Sequence, residues 1–313
     1  MLQRSGTIHA HHTNQHETQI TRITRTVRIS SCNSCVESEE AFSEFRRGAA
    51  SDPALLAELI ELAWGTYGDD PEAVQRAVWP RSDVEWLMLA HDFLKRKHTV
   101  EAMQLFRASG GTATHERLQL LKDLFDARLF SEAYEVWTSG RAKSPGPNQS
   151  TGDFVNEGFE EDVKRESLGF NWRTPQPSER IEVSRDDGES HSGTFSLRLD
   201  FSGNSEPQSR LLSQMVIVEA GGRYHLTFVA RAKDLITGGL PFAAILDAGD
   251  GQILARSKAV RENTSGWETY SVEFTAGPSA NSIIVTIQRE PCSSSLCPAF
   301  GSVWFDSFSC RKL

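Results

Sequence analysis

The stretch Gly301-Ser-Val-Trp-Phe-Asp-Ser-Phe-Ser-Cys310 decides how this chain is to be read. Val303 and Phe305 alternate with outward neighbours, the apolar phase slips at Asp306-Ser307, and it resumes at Phe308 and Cys310. Strand side chains alternate between two faces, so a slip inside a regular pattern predicts a bulged strand. A strand this apolar needs a sheet to pair with, and the chain from residue 151 onward supplies one. Leu197, Leu199 and Phe201 alternate, as do Tyr224, Leu226, Phe228 and Ala230, then Tyr270, Val272 and Phe274, then Ile283, Val285 and Ile287. Each run has one core face and one face that can meet water. With turns at Gly221-Gly222, Ala248-Gly-Asp-Gly251 and Ala276-Gly-Pro278, residues 151–313 read as an antiparallel two-sheet sandwich.

Upstream of it, Arg141-Ala-Lys-Ser-Pro-Gly-Pro-Asn-Gln-Ser150 has the composition of a linker. Residues 51–140 carry a helical period instead. Asp52-Pro53 and Asp70-Pro71 each pair an N-cap with proline at the first helical position, and Ser82-Asp-Val-Glu85 is a capping box. Ala90, Ala102 and Phe106 recur in spacing as Leu121, Ala133 and Trp137, which are tetratricopeptide-like offsets; small residues let paired helices approach and the aromatic fills the gap beyond. An irregular helical bundle is the alternative. Such an array would offer a surface to a protein partner.

Residues 1–50 are polar, with His9, His11, His12 and His16 in no fixed metal frame and Cys32-Asn-Ser-Cys35 lacking the βαβ surroundings of a redox motif. They read as a disordered leader. The fold class expected is therefore α+β multidomain, a helical-hairpin array followed by a jelly-roll sandwich.

The net charge of −9 argues against nucleic acid, whose phosphates demand a concentrated basic surface. No apolar run approaches the roughly 20 residues that span a bilayer, and the first thirty contain no signal-peptide core. As written the chain reads as cytoplasmic; an export segment lying outside this sequence would place it in the periplasm or outside the cell. Cys292 and Cys297, in Pro-Cys-Ser-Ser-Ser-Leu-Cys-Pro, are spaced so that the sulfurs can meet in a turn; two reduced thiols are the alternative. There is no Gly-x-Ser-x-Gly elbow, phosphate loop, His-Glu-x-x-His or dinucleotide fingerprint, so an enzyme is not expected.

Asn156-Glu-Gly-Phe-Glu160, His191-Ser-Gly193 leading into Ser196-Leu-Arg-Leu199, Glu219-Ala-Gly-Gly-Arg-Tyr224, Gly266-Trp267 and Val303-Trp-Phe-Asp306 together resemble the carbohydrate-binding-module jelly rolls of families 4, 9 and 22. That resemblance implies a galactose-binding-like sandwich that holds a glycan weakly and catalyses nothing. The chemistry of sugar binding asks for an aromatic platform and polar groups for the hydroxyls. Trp172 and Phe242 are the candidate platforms, with His225, Thr227, Arg231 and Gln288 as the polar floor. Many such modules hold a structural calcium near their chain ends. The matched positions are Glu160 and Asp306, unless Asp306 serves only to bond its own bulge. The combination suggests a cell-envelope or polysaccharide-assembly factor; the alternatives are the targeting part of a glycoside hydrolase and a purely protein-binding scaffold.

Overall fold

A computed structural model describes residues 35–163, 168–174, 180–292 and 297–313, apart from 50, 51, 53, 141–150, 205, 207 and 208, with backbone alone for 35–39. The histidine tract, the Cys32 end of the Cys-x-x-Cys pair and the linker lie outside the described residues. The chain divides into two compact units, Met1–Glu116 and Arg117–Leu313.

The first unit is helical: α1 (Cys35–Ala49), α2 (Ala54–Tyr67), α3 (Pro71–Val78), α4 (Asp83–Lys95) and α5 (Thr99–Ala108), with α6 (Thr114–Asp126) beginning at its end. Helix α1 corrects the reading of residues 1–50 as wholly disordered. Phe42 and Phe45 lie one turn apart and are buried, and Phe42 stacks on Tyr67 with ring centroids 5.6 Å apart, so this segment has a face to bury despite its polar average. The α4–α5 turn passes through Lys97 at φ 71°, with the His98 amide donating to the Phe93 carbonyl at 3.0 Å. Asp83 fastens the loop after α5, accepting from the amides of Gly110 and Thr112 at 2.8 and 3.1 Å.

The second unit takes up α6 from Arg117, then α7 (Phe130–Ser139) and the sandwich. Its helical turn repeats the same geometry, with Arg128 at φ 59° and the Leu129 amide on the Leu124 carbonyl at 2.9 Å. Phe170 sits among Phe125, Tyr134 and Trp137 at centroid distances of 5.4, 4.8 and 5.6 Å. Glycine is required beside it: at Gly169, φ 141°, a Cβ would lie 2.2 Å from the Trp137 indole nitrogen.

Among the described residues nine strands follow: β1 (Ile181–Asp186), β2 (Ser196–Asn204), β3 (Leu212–Ile217), β4 (Arg223–Thr237), β5 (Pro241–Asp247), β6 (Ile253–Arg256), β7 (Glu268–Thr275), β8 (Ser282–Arg289) and β9 (Pro298–Lys312). They form a five-stranded sheet in the order β1-β2-β9-β4-β7 and a four-stranded sheet in the order β3-β8-β5-β6, every pairing antiparallel. The core between them is built from the residues that the period of two assigns inward, among them Leu199, Phe228, Val303 and Phe305 facing Ile245, Val285 and Ile287. The bulge falls where the phase slips: Ser309 pairs with Thr227 but Asp306 with Val229, and Ser307 between them takes φ 52°.

The opening stretch 153–160 is irregular rather than a strand. Asn156 and Phe159 adopt φ of 55° and 58°, and the segment folds over the bulge, where the Phe308 amide donates to the Glu157 carbonyl at 3.1 Å.

Cys292 and Cys297 are joined as a disulfide with Cα atoms 5.6 Å apart. The Cys297 carbonyl accepts from Arg289 Nη2 at 2.8 Å, and Arg289 Nη1 donates to Thr237 Oγ1 at 2.9 Å, so a buried guanidinium ties the bridged loop to the end of β4. Burial pushes that guanidinium below its ordinary pKa. Replacing both cysteines with serine is expected to cost about 2 kcal/mol by loop-closure entropy, read as a lower denaturation midpoint. Equal midpoints with and without reductant in the wild-type chain would count against a bridge in the folded protein. Cys310 is buried and its thiol is pushed up to about 12, so it carries no thiolate chemistry.

Candidate binding face

The outer face of the five-stranded sheet is set by the same alternation that fills the core. With Val303 and Phe305 inward, β9 presents Phe300, Ser302 and Trp304 outward. Opposite them the register places Ser202, Asp200 and Arg198 on β2, and Ile236, Lys233 and Arg231 on β4. Asp234, at φ 54°, kinks β4 so that Leu235 turns into the core and Ile236 out of it. Across from this kink Gly301 is obligatory, because a Cβ there would lie 2.2 Å from the Asp234 carbonyl oxygen.

Phe300 is 47% exposed and its partner Ile236 71% exposed, making an apolar step at one end of the face. Beside it lies a polar bed. Arg198 Nε donates to Asp200 at 2.8 Å, Ser302 Oγ donates to the same carboxylate, and Lys233 stands exposed at the next position. Trp304, buried, gives its indole N–H to Asp186 Oδ2 at 2.8 Å and lies under the Arg198 guanidinium, 5.1 Å from the ring centroid. Burial would raise Asp186, but the Trp304 indole, the Gly188 amide and Arg198 outweigh it and hold the carboxyl below its usual range. The Asp186 carboxyl is thus held low, the reverse of what a general acid for glycoside hydrolysis requires.

At the other end the loop after β1 folds over the sheet. Asp306, buried, accepts from the amides of His191 and Ser192 at 2.8 and 3.0 Å and from that of Ser307. Glu160 accepts from Thr194 and Phe195 at 2.9 and 3.0 Å; the amides of Phe195 and Thr194 hold its carboxyl below the usual range. The carbonyls of Phe159 and Glu160 each take a bond from Arg185 at 2.9 Å. Calcium would need six to eight oxygens here. The carboxylates instead face N–H donors, the neighbouring carbonyls face a guanidinium, and no group of three His, Cys, Asp or Glu among the described residues is placed to hold a metal. The residues therefore do not fit a calcium ion, and the bond from Ser307 to Asp306 is the bulge contact that formed the alternative reading.

Ser307 Oγ also lies 3.1 Å from His191 Nδ1, a pairing that invites comparison with a hydrolase. Asp306 does not orient that ring: its oxygens take the His191 and Ser192 amides and bond the Ser192 and Ser307 hydroxyls. Those amides are consequently not available as an oxyanion hole.

The candidate platforms and floor do not converge on this face. Trp172 is 2% exposed, packed on Phe154, Phe159 and Phe308, with its indole N–H on the Asn156 carbonyl at 2.9 Å; it is core, and the expectation of an exposed ring is corrected. Phe242 and Gln288 are cross-strand partners on the outer face of the other sheet, where Phe242 is buried with Ala244 and Leu246. His225, Thr227 and Arg231 do lie outward on β4, but Arg231 is paired with Glu189. Phe300, Asp200, Ser302 and Lys233 were missed. Extending the β9 alternation by two residues toward its start would have found Phe300.

No family model matches the sequence, and no curated protein does. Carbohydrate-binding modules are among the solved structures similar to the C-terminal half of the chain. One is a CBM4 module, at 13% identity and a TM-score of 0.38, covering 51% of this chain and 100% of its own. Another is TmCBM61 in complex with β-1,4-galactotriose, at 18% identity and a TM-score of 0.36, covering 52% and 100%. A third is the CBM22-1 xylan-binding domain of Paenibacillus barcinonensis, at 14% identity and a TM-score of 0.35, covering 52% and 97%.

Proposed function

We propose that the sandwich is a non-catalytic glycan-binding module whose ligand lies across the outer face of the five-stranded sheet. The observation that carries this is the half-exposed Phe300 beside Ile236, flanked by Asp200, Ser302 and Lys233. The ring offers a surface to the C–H face of a sugar, and the neighbouring carboxylate, hydroxyl and ammonium match its hydroxyls. Binding is weak, because one ring buries little apolar area while the polar groups must be stripped of water. The lowered Asp186 carboxyl supports the non-catalytic reading, and the amide clasp at Asp306 supports a module that works without calcium. A place in the cell envelope or in polysaccharide assembly belongs to the same proposal, supported by the disulfide, which persists in oxidising compartments.

A glycan array with the full chain tests it. At least one glycan is expected to be retained, and Phe300→Ala is expected to weaken that retention roughly tenfold or more, given the burial of a single aromatic side chain. A blank array, or retention indifferent to Phe300→Ala, overturns the site.

A further inference from the structure

A cavity of about 490 Å³ opens between α1, α2, α3 and the start of α4, with Leu56, Leu59 and Val78 among its apolar lining. Around it stand Arg46 and Arg47 from α1, the latter in an exposed ion pair with Glu44 at 2.9 Å, and Arg81 from the α3–α4 connection; Glu85 is the one lining carboxylate among the described residues. That carboxylate is engaged in capping, accepting the Arg81 backbone N–H at 2.7 Å. Arg46 is steered by a bond from its Nε to the Phe42 carbonyl at 3.2 Å. A cluster of guanidinia around an apolar hollow stands out in a chain whose net charge is −9.

Trp79 forms part of the wall and is 57% exposed. Its backbone is left-handed, at φ 53° and ψ 61°, directly before Pro80. That conformation caps the end of α3, the Trp79 amide donating to the Gln75 carbonyl at 2.9 Å, and a bulky residue pays a penalty there that glycine would avoid.

We propose that this cavity binds an acidic peptide segment, with one apolar side chain seated against Trp79 and the Leu56–Leu59–Val78 floor and flanking carboxylates on the arginines. The guanidinia come from two separate elements, which suits carboxylates spaced along a peptide better than one compact anion.

The test uses the full chain and a fluorescein-labelled probe, acetyl-Glu-Asp-Leu-Phe-Glu-Asp-amide, followed by polarisation. Binding is expected to weaken as salt rises and to be absent with the Gln/Asn version of the probe. The double variant R47E/R81E is expected to bind at least about tenfold more weakly. Trp79→Gly relieves the left-handed strain, so it is expected to remain folded by circular dichroism while losing most binding. Equal binding by the charge-reversed or Gly variant, or by the neutral probe, overturns the site. So does failure of the acidic probe to bind at millimolar concentration, whether or not phosphatidylserine vesicles or a second copy of the chain are captured instead.

Discussion

Trp172→Ala is expected to destabilise the sandwich by about 3–5 kcal/mol, the range for removing a large aromatic from a packed core. Against a typical domain stability of about 5–15 kcal/mol, that is enough to leave a marginal module partly unfolded. The ring stacks on Phe154 at 5.4 Å and meets Phe308 at 4.7 Å, so its removal opens the junction between the opening segment and the bulge of β9. Trp172→Phe separates packing from bonding: it keeps most of the apolar contact but leaves the Asn156 carbonyl without its donor, for about 1–3 kcal/mol. Chemical denaturation of the full chain, following the sandwich transition, is the measurement. An unchanged transition in Trp172→Ala would return the ring to the surface.

Asp306→Ala is the second large effect expected. It strips the acceptor from the amides of His191, Ser192 and Ser307 at once, and charge-assisted bonds of this kind are individually the strong ones. A loss of about 3 kcal/mol, with a melting temperature lower by roughly 6–12 °C, follows for a unit of this size. Asp306→Asn should be almost as damaging, because its NH₂ group would confront an N–H. The same melting experiment in calcium and in chelator decides what the carboxylate holds. The amide clasp predicts one melting temperature in both; a rise of several degrees with calcium, abolished in Asp306→Asn, would replace the clasp with a metal.

What could be read beforehand follows from what a period of two contains. It places residues inward or outward, so the sandwich, its core faces and the bulge at Asp306-Ser307 were legible. It does not say which outward faces coincide. His225 and Gln288 are both outward, yet β4 and β8 belong to opposite sheets, a tertiary fact absent from local alternation. Trp172 misled for a related reason: no alternation surrounds it, and what buries it is an irregular segment folded by residues of positive φ. Helix α1 was hidden by averaging, since two buried phenylalanines weigh little in a fifty-residue composition.

Strand β9 has one more consequence. The ninth strand in chain order lies between β2 and β4, in the middle of its sheet. During synthesis, everything through β8 leaves the ribosome while the sheet still has a gap at its centre. Its two innermost strands then present unpaired backbone to solvent and to other nascent chains. Closure joins residues far apart in sequence, which makes it slow. A translation stop before residue 298 would therefore leave a pair of sticky edges rather than a slightly shortened module, with aggregation or degradation of the product as the cellular outcome.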